Sequence, residues 1–333
     1  MPTYRAKKVE TKGDIKKFVN FEWDQPYENL DVPVLNDVII DMLNNKVPSS
    51  TYGKIQGWLI LKEDGSEKTV VGRTTTHTNL LLNEKINKKL LLFGLTKLSN
   101  DLNAANCLFK LFTDEANASS CNSIFGPASL LPNQHGGATL SNFEESGFVD
   151  SAYTPEYFVN FFKDNGFNIE FESNTWKCEN LQDEKFDPHK SFYFDDTRIA
   201  SEKLELHYGN KSNFDSQRKL LLPLINQSFE TLPYYTTISE AEFKYQTTGL
   251  EFLIDEKLLI YLTKNNIPIA FILVVPDISK FINNCKGNLN LIHQIKLFLT
   301  KRKYRREAVL IIKGTDPNFA GKNYQTLLHR ELF

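Results

Sequence analysis

Apolar and polar positions recur along the chain with two periods, and the switches between them mark the elements. From Ile124 to Phe167 an apolar lead-in stops at Gly126-Pro127 and a polar Gly-rich loop follows. Thr154-Pro155-Glu156 then opens a helix with Phe158, Phe161 and Phe162 on one face, ended by Asn165-Gly166. The next residues, Phe167 to Phe171 (FNIEF), alternate apolar and polar and predict a strand.

The same periods predict a strand at Tyr4 to Val9, a helix with Ile15, Phe18 and Val19 inward, and a helix near Val34 to Met42. Two short strands around Gly57-Trp58-Leu59-Ile60-Leu61 and Thr69-Val70-Val71-Gly72-Arg73 flank Asp64-Gly65, the signature of a hairpin turn. A strand at Lys89 to Leu95, a helix at Asn103 to Phe112 and a strand at Ser123-Ile124-Phe125 complete the first half.

After a polar, irregular stretch from Lys177 to Thr197, the same grammar returns. It predicts helices at Phe214 to Ser228 and from Ser239, then a hairpin of Lys257 to Thr263 with Ile267 to Val275 turning at Asn265-Asn266. Helices at Asp277 to Asn284 and Leu289 to Leu299, a strand at Ala308 to Ile312 and a helix from Lys322 to Leu332 follow. Two halves with one order of elements imply duplication of an α/β unit with a mixed, partly antiparallel sheet flanked by helices.

At 333 residues the chain exceeds the usual single domain of about 100 to 150 residues. The expected division is 1–175, a linker at 176–200, and 201–333. A net charge of -2 gives no reason to expect nucleic acid, and the basic run Lys301-Arg302-Lys303-Tyr304-Arg305-Arg306 reads as a solvated face. The four cysteines lie far apart with no CxxC, as in a cytosolic protein with reduced thiols and no structural zinc. A polar N-terminus, and no apolar run near the roughly 18 residues of a membrane helix, predict no membrane association.

Ordered along both halves, particular residues resemble the bacterial tandem GNAT-like proteins, related to the GNAT superfamily of N-acetyltransferases. In the second half they are Asn226-Gln227-Ser228-Phe229, Glu242-Phe243, Pro268-Ile269-Ala270-Phe271, Val275-Pro276-Asp277, Val309 to Ile312, Pro317-Asn318-Phe319 and Leu328 to Leu332. In the first they are Val71-Gly72-Arg73, Phe93-Gly94, Gly126-Pro127, Asn133 and Tyr157 to Phe167. The resemblance implies two tandem GNAT-like units, the second truncated. It also implies a splayed sheet that holds a pantetheine arm, with a loop and helix N-terminus taking the pyrophosphate of coenzyme A. The matching loop is Ala320 to Gln325, with Gly321, Lys322 and Asn323 as cofactor-binding residues. Ala320 and Gln325 depart from the family pattern, so weak binding of coenzyme A, or use of a carrier protein's phosphopantetheine, is the expectation. The Tyr that often serves as general acid in the family falls at Phe162, which has no proton to give.

The remaining candidates cluster in the loop of the first half. His135 is the candidate general base and Tyr157 its catalytic companion; Asn133, Gly136, Gly137 and Tyr153 would bind substrate. No Ser-His-Asp order, GxSxG or HExxH occurs, and no metal is expected. Two function classes follow. One is transfer of an acyl group from a thioester to a small-molecule or amino-acid-like amine. The other is a GNAT-fold protein that has lost acyl transfer and serves as a binding module or does different chemistry in the same cleft. An open sheet edge in the truncated unit would need cover, and a homodimer is one way to supply it.

Overall fold

The structure is a computed structural model that describes residues 2–27, 30–128, 136–179, 181, 183, 185–248, 255–304 and 306–333. In chain order the elements are β1 (Thr3–Lys8), α1 (Lys12–Asn20), α2 (Asn36–Leu43), β2 (Gln56–Asp64), β3 (Glu67–His77), α3 (Leu80–Ile86), β4 (Leu90–Leu98), α4 (Leu102–Ala118), β5 (Ser123–Phe125) and α5 (Glu156–Asp164). They continue with α6 (Pro188–Ser191), α7 (Thr197–Ser201), β6 (Leu204–Tyr208), α8 (Phe214–Phe229), α9 (Glu240–Thr247), β7 (Leu259–Lys264), β8 (Ile267–Pro276), α10 (Ser279–Asn284), α11 (Leu291–Thr300), β9 (Ala308–Thr315) and α12 (Tyr324–Leu332). Two compact units result. The first takes Met1–Asn168, Pro233–Thr236 and Ile278–Leu297; the second takes Ile169–Leu232, Thr237–Asp277 and Phe298–Phe333.

The first unit holds a five-stranded sheet in the order β1-β2-β3-β4-β5. Four strands run antiparallel, and β5 joins β4 in parallel through Leu90 to Ser123, Leu91 to Ile124 and Leu92 to Phe125. Successive side chains of a strand point to opposite faces, so β2 can bury both. Trp58 and Ile60 pack with Phe93, Phe112, Phe158 and Phe162 from β4, α4 and α5, whereas Leu59 and Leu61 pack with Phe18, Val19 and Ile39 from α1 and α2. Phe93 stacks on Phe112 at 4.6 Å and on Phe162 at 5.2 Å, and this aromatic cluster anchors α4 and α5 to one face. Gly65, at φ +60, makes the turn between β2 and β3 that Asp64-Gly65 announces.

The predicted strand at Phe167 to Phe171 does not form. Phe167 is drawn into the aromatic cluster, 4.9 Å from Phe162, while Ile169 and Phe171 are exposed and belong to no ladder among the described residues. Alternation alone gives no strand where no ladder partner exists. Thr154 also departs from its expected capping role: Pro155 is the N-cap of α5, and the Thr154 hydroxyl accepts from the Thr139 amide instead.

The second unit holds an antiparallel sheet in the order β6-β7-β8-β9, the same order as the first four strands of the first unit. Its core joins Ile260, Leu262, Ile269, Ala270 and Ile272 of the central strands to Tyr324, Leu327 and Leu328 of α12. Ser239 and Glu242 form a capping box at the start of α9, with side chain and backbone bonded reciprocally.

Candidate functional site

In the second unit, β9 is an edge strand that runs directly into a helix. It pairs with β8 on one side, with a register shift that leaves Ile311 as an extra, bulged residue. No strand among the described residues pairs with its other side. After Thr315, Asp316 fixes the turn: its amide donates to Ile269 O at 2.9 Å and its carboxylate accepts from the Asn318 amide at 2.8 Å. Gly321 follows at φ +75 with open space where a Cβ would lie, and Asn323 adopts the left-handed conformation as N-cap of α12 without a side-chain capping bond. The first amides of α12 therefore face the loop uncapped, and Gly321, Lys322 and Asn323 are all exposed.

The loop rests on a rigid base. Tyr324 is buried and donates to Glu202, Arg198 pairs with Glu202 at 2.6 Å, and Arg198 also donates to the Lys322 carbonyl at 3.2 Å. Burial, then the bond to Glu202, pushes the Tyr324 hydroxyl up to about 12, so it remains a neutral donor. The long side chain of Gln325, one of the two departures from the family pattern behind the expectation of weak binding, is directed into the sheet. Its Nε2 donates to Gly314 O at 2.6 Å, Thr315 Oγ1 at 3.1 Å and Phe271 O at 3.2 Å. An anionic pyrophosphate fits this N-terminus: free amides, a glycine admitting close approach, and a lysine ammonium beside them.

The corresponding junction of the first unit is occupied by its own chain. β4 also carries a bulge, between the pairs Arg73 with Lys97 and Thr75 with Gly94, and Leu95 sits at φ +48. A Cβ on Gly94 would lie 2.1 Å from the Ala128 carbonyl oxygen, and the Ala128 amide donates to Phe93 O at 2.7 Å. At the start of α4 the Asp101 carboxylate accepts from the amides of Asn103 and Ala104 and from the Tyr4 hydroxyl. A carboxylate already satisfies that helix N-terminus and repels an incoming anion.

Of the residues singled out in the sequence, Asn133 and His135 lie outside the described residues. Gly136 is half-buried, and the Gly137 amide donates to Pro127 O at 2.7 Å. The Tyr153 hydroxyl donates to Phe143 O at 2.8 Å, and the Tyr157 hydroxyl to Leu98 O at 2.7 Å, holding the end of β4. Both tyrosines border a buried charge network that sequence reasoning missed. Arg73, on β3, donates to Glu22 and to Phe18 O; Lys97, on β4, donates to Asp31 and lies 3.5 Å from Glu22 and 3.4 Å from Tyr153 O. All four charged residues are 9% exposed or less, so every charge must be paired. Burial opposes the charge on Glu22, but Lys97 and Arg73 outweigh it and hold its carboxyl below the usual range. Burial pushes Asp31 up to about 6 against the pull of Lys97. The available signal was a charged residue inside a strand at a buried position, Arg73 in VVGRTTT and Lys97 near the end of LLLFGLTKL.

No protein-family model matches the chain. It is 22% identical over 279 residues to Protein YghO of Escherichia coli strain K12, across 84% of this chain and 70% of that protein. Among solved structures, a fungal multi-domain GH3 beta-N-acetylglucosaminidase, described as holding a unique GCN5-related glucosamine N-acetyltransferase region, superposes with a TM-score of 0.51 at 14% identity. The match covers 99% of this chain, which spans about a third of the length of that protein (34%). The chain has a GNAT-like fold. Within this GNAT-like frame the helix N-terminus after β9 has no side-chain cap, whereas the one after β4 is capped by Asp101. No group of histidine, cysteine or acidic side chains among the described residues could hold a metal, and no helix there is long and apolar enough to cross a membrane.

Proposed function

We propose that the chain is an acyltransferase of the GNAT class, built from two tandem units, that moves an acyl group from coenzyme A or a carrier-protein phosphopantetheine to an amine. The observation that carries this reading is the bulged, open-edged strand β9 running into the uncapped N-terminus of α12. An edge strand offers backbone donors and acceptors in a row, which amide groups of an extended ligand can pair as an added strand would. Gly321, Lys322 and Asn323 would hold the pyrophosphate. When bound, the thioester supplies the activated acyl group. The backbone amides freed by the bulge at Ile311 are the groups available to polarise its carbonyl, and positioning provides the remaining rate enhancement. The description of the fungal neighbour names glucosamine, which makes an amino sugar the first acceptor amine to test.

A second placement puts the chemistry in the first unit, where Tyr153 and Tyr157 border the Lys97 to Asp31 pair. There His135 would relay a proton, and Asn133, Gly136 and Gly137 would orient the substrate. The Ala128 carbonyl against Gly94 and the Asp101 cap weigh against it. If neither cradle takes a thioester, the chain is a binding module on an inherited fold.

Calorimetry with acetyl-coenzyme A decides among these. The expected dissociation constant lies between about 10 μM and 1 mM, weakened at least about tenfold by Lys322→Glu and unchanged by His135→Ala. Loss with His135→Ala but not Lys322→Glu would move the site to the first unit. No binding at millimolar ligand would leave the binding-module reading. Acyl transfer to glucosamine and other amines, read by mass spectrometry, then identifies the acceptor.

A further inference from the structure

A cavity of about 420 Å³ opens in the second unit at the edge of the sheet opposite β9. Its size falls in the range of about 300 to 1,000 Å³ typical of small-molecule sites. The fold explains why it exists. Helix α8 packs over β8 and β9, leaving the β6 and β7 part of that face to serve as a floor. The floor is aromatic: His207 and Tyr261, directly paired across β6 and β7, stack with ring centroids 4.9 Å apart at 14°. The opposite wall is one face of the start of α8, where Asn213, Ser216 and Gln217 fall at helical spacing. Tyr208 lines the cavity through its backbone carbonyl, while its side chain turns to the other face, the hydroxyl 3.5 Å from Glu331 of α12.

The chemistry of this lining is specific. None of the lining residues is an aspartate, glutamate, lysine or arginine, and the acidic group beside them, the Glu205 carboxylate 3.7 Å from His207 Nε2, repels a phosphate or a carboxylate. Gln217 is committed, its Nε2 donating to Tyr208 O at 2.9 Å and its Oε1 accepting from the Asn210 amide at 2.7 Å. That commitment fixes the wall. The Asn213 side-chain amide and the Ser216 hydroxyl make no hydrogen bond to the described residues, and the His207 ring spends only Nε2, on Thr263 Oγ1 at 2.9 Å. Because the two rings stack on each other, the pair turns ring edges toward the cavity; with the Asn213 side-chain amide, the Ser216 hydroxyl and His207 Nδ1 uncommitted, the lining is a ring of hydrogen-bonding groups, which suits an uncharged polyhydroxyl ring.

We propose that this cavity binds a neutral saccharide at a site distinct from the thioester cradle. The two lie at opposite edges of a four-stranded sheet, three strand spacings of about 4.8 Å apart. This inference does not depend on acyl transfer.

The test is titration of the ¹⁵N-labelled full chain with D-glucose and with N-acetyl-D-glucosamine, followed by amide shifts. Indole serves as the aromatic, non-hydroxylated comparison. At least one sugar should saturate with a dissociation constant of about 1 mM, shifting amides from Leu206 to Leu220. Ser216→Trp, at an exposed position, should fill the cavity and weaken sugar binding at least tenfold without lowering the melting temperature. Asn213→Ala should weaken it about threefold, and neither should change the affinity for acetyl-coenzyme A. The proposal is overturned if neither sugar shifts these amides at about 50 mM, if indole binds and the sugars do not, or if Ser216→Trp leaves sugar affinity unchanged.

Discussion

Replacing Lys97 by Met tests whether the network behind β4 is held by compensated charge. The ammonium is bound to Asp31 and lies 3.5 Å from Glu22, and Lys97 is 9% exposed. At an effective dielectric constant near 20, one unit pair at that separation is worth about 5 kcal/mol before desolvation. Removing one partner of a buried pair costs about 3 to 5 kcal/mol, because the charge left behind has neither water nor counter-ion. Glu22 keeps Arg73, so Asp31 bears most of the loss. A total stability of about 5 to 15 kcal/mol makes that a large fraction.

The pH dependence separates this cause from lost packing. Asp31 stands near 6 in the fold, above the ordinary value of an unfolded aspartate near 3.9. The folded state therefore holds the extra proton between those values, and the contribution of this group to stability falls as pH rises from about 4 through 6. Without Lys97 the carboxyl climbs further, and the deficit of the variant deepens by up to about 1.4 kcal/mol per pH unit above 6 until Asp31 ionises. Urea unfolding at pH 5 and pH 8, followed by tryptophan fluorescence, reports chiefly on the first unit, because Trp58 is buried there while Trp176 of the second unit is 88% exposed. The expected deficit is about 3 kcal/mol or more at pH 8 and clearly smaller at pH 5, with Lys97→Arg nearer the wild type. A deficit under about 1 kcal/mol at pH 8, or one equal at both pH values, would refute the argument.

Two further outcomes are expected. Asp14→Asn removes the carboxylate that Lys7 and the Thr11 cap hold at about 2, costing about 1 to 2 kcal/mol at pH 7. A depressed carboxyl stabilises above its unfolded value and loses that stabilisation as pH falls through the folded one, so the gap to the wild type should close between pH 4 and 2; a constant gap in acid titration contradicts this. Gly94→Ala drives a methyl against the Ala128 carbonyl and should cost about 1 to 3 kcal/mol by chemical denaturation while leaving acetyl-coenzyme A affinity unchanged. Weaker thioester binding in that variant would point to the first unit as the donor site.

Features set by neighbouring residues were legible in the chain. Asp64-Gly65 and Asn265-Asn266 announced their hairpins, and Ser239 with Glu242 announced its helix. Features set by distant partners were not. Glu22, Arg73, Asp31 and Lys97 meet only after α1, β3 and β4 are in place, so each alone reads as a surface charge or an interruption of a strand. The segment Phe167 to Phe171 failed for the same reason: its alternation was sound, but a ladder needs a neighbour. Likewise, the inclusion of Ile278–Leu297 in the first unit leaves no mark in the periodicity of those helices.

The difference between the two strand-to-helix junctions falls between these cases, and it lies at a single position. Both units send the fourth strand of the sheet into a helix, and both helices begin with unsatisfied amides. Where the N-cap is Asp101, the carboxylate takes two of those amides and supplies the negative charge itself. Where it is Asn323, held left-handed at φ +62 with its side chain uncommitted, the amides stay available, and Gly321 and Lys322 stand beside them. An aspartate spends the helix N-terminus on the fold; the Gly-Lys-Asn turn leaves its amides free of any side-chain cap. The residue types were visible from the start, but their meaning required knowing which side chain turns back onto its own helix, and that is a matter of backbone conformation at one residue.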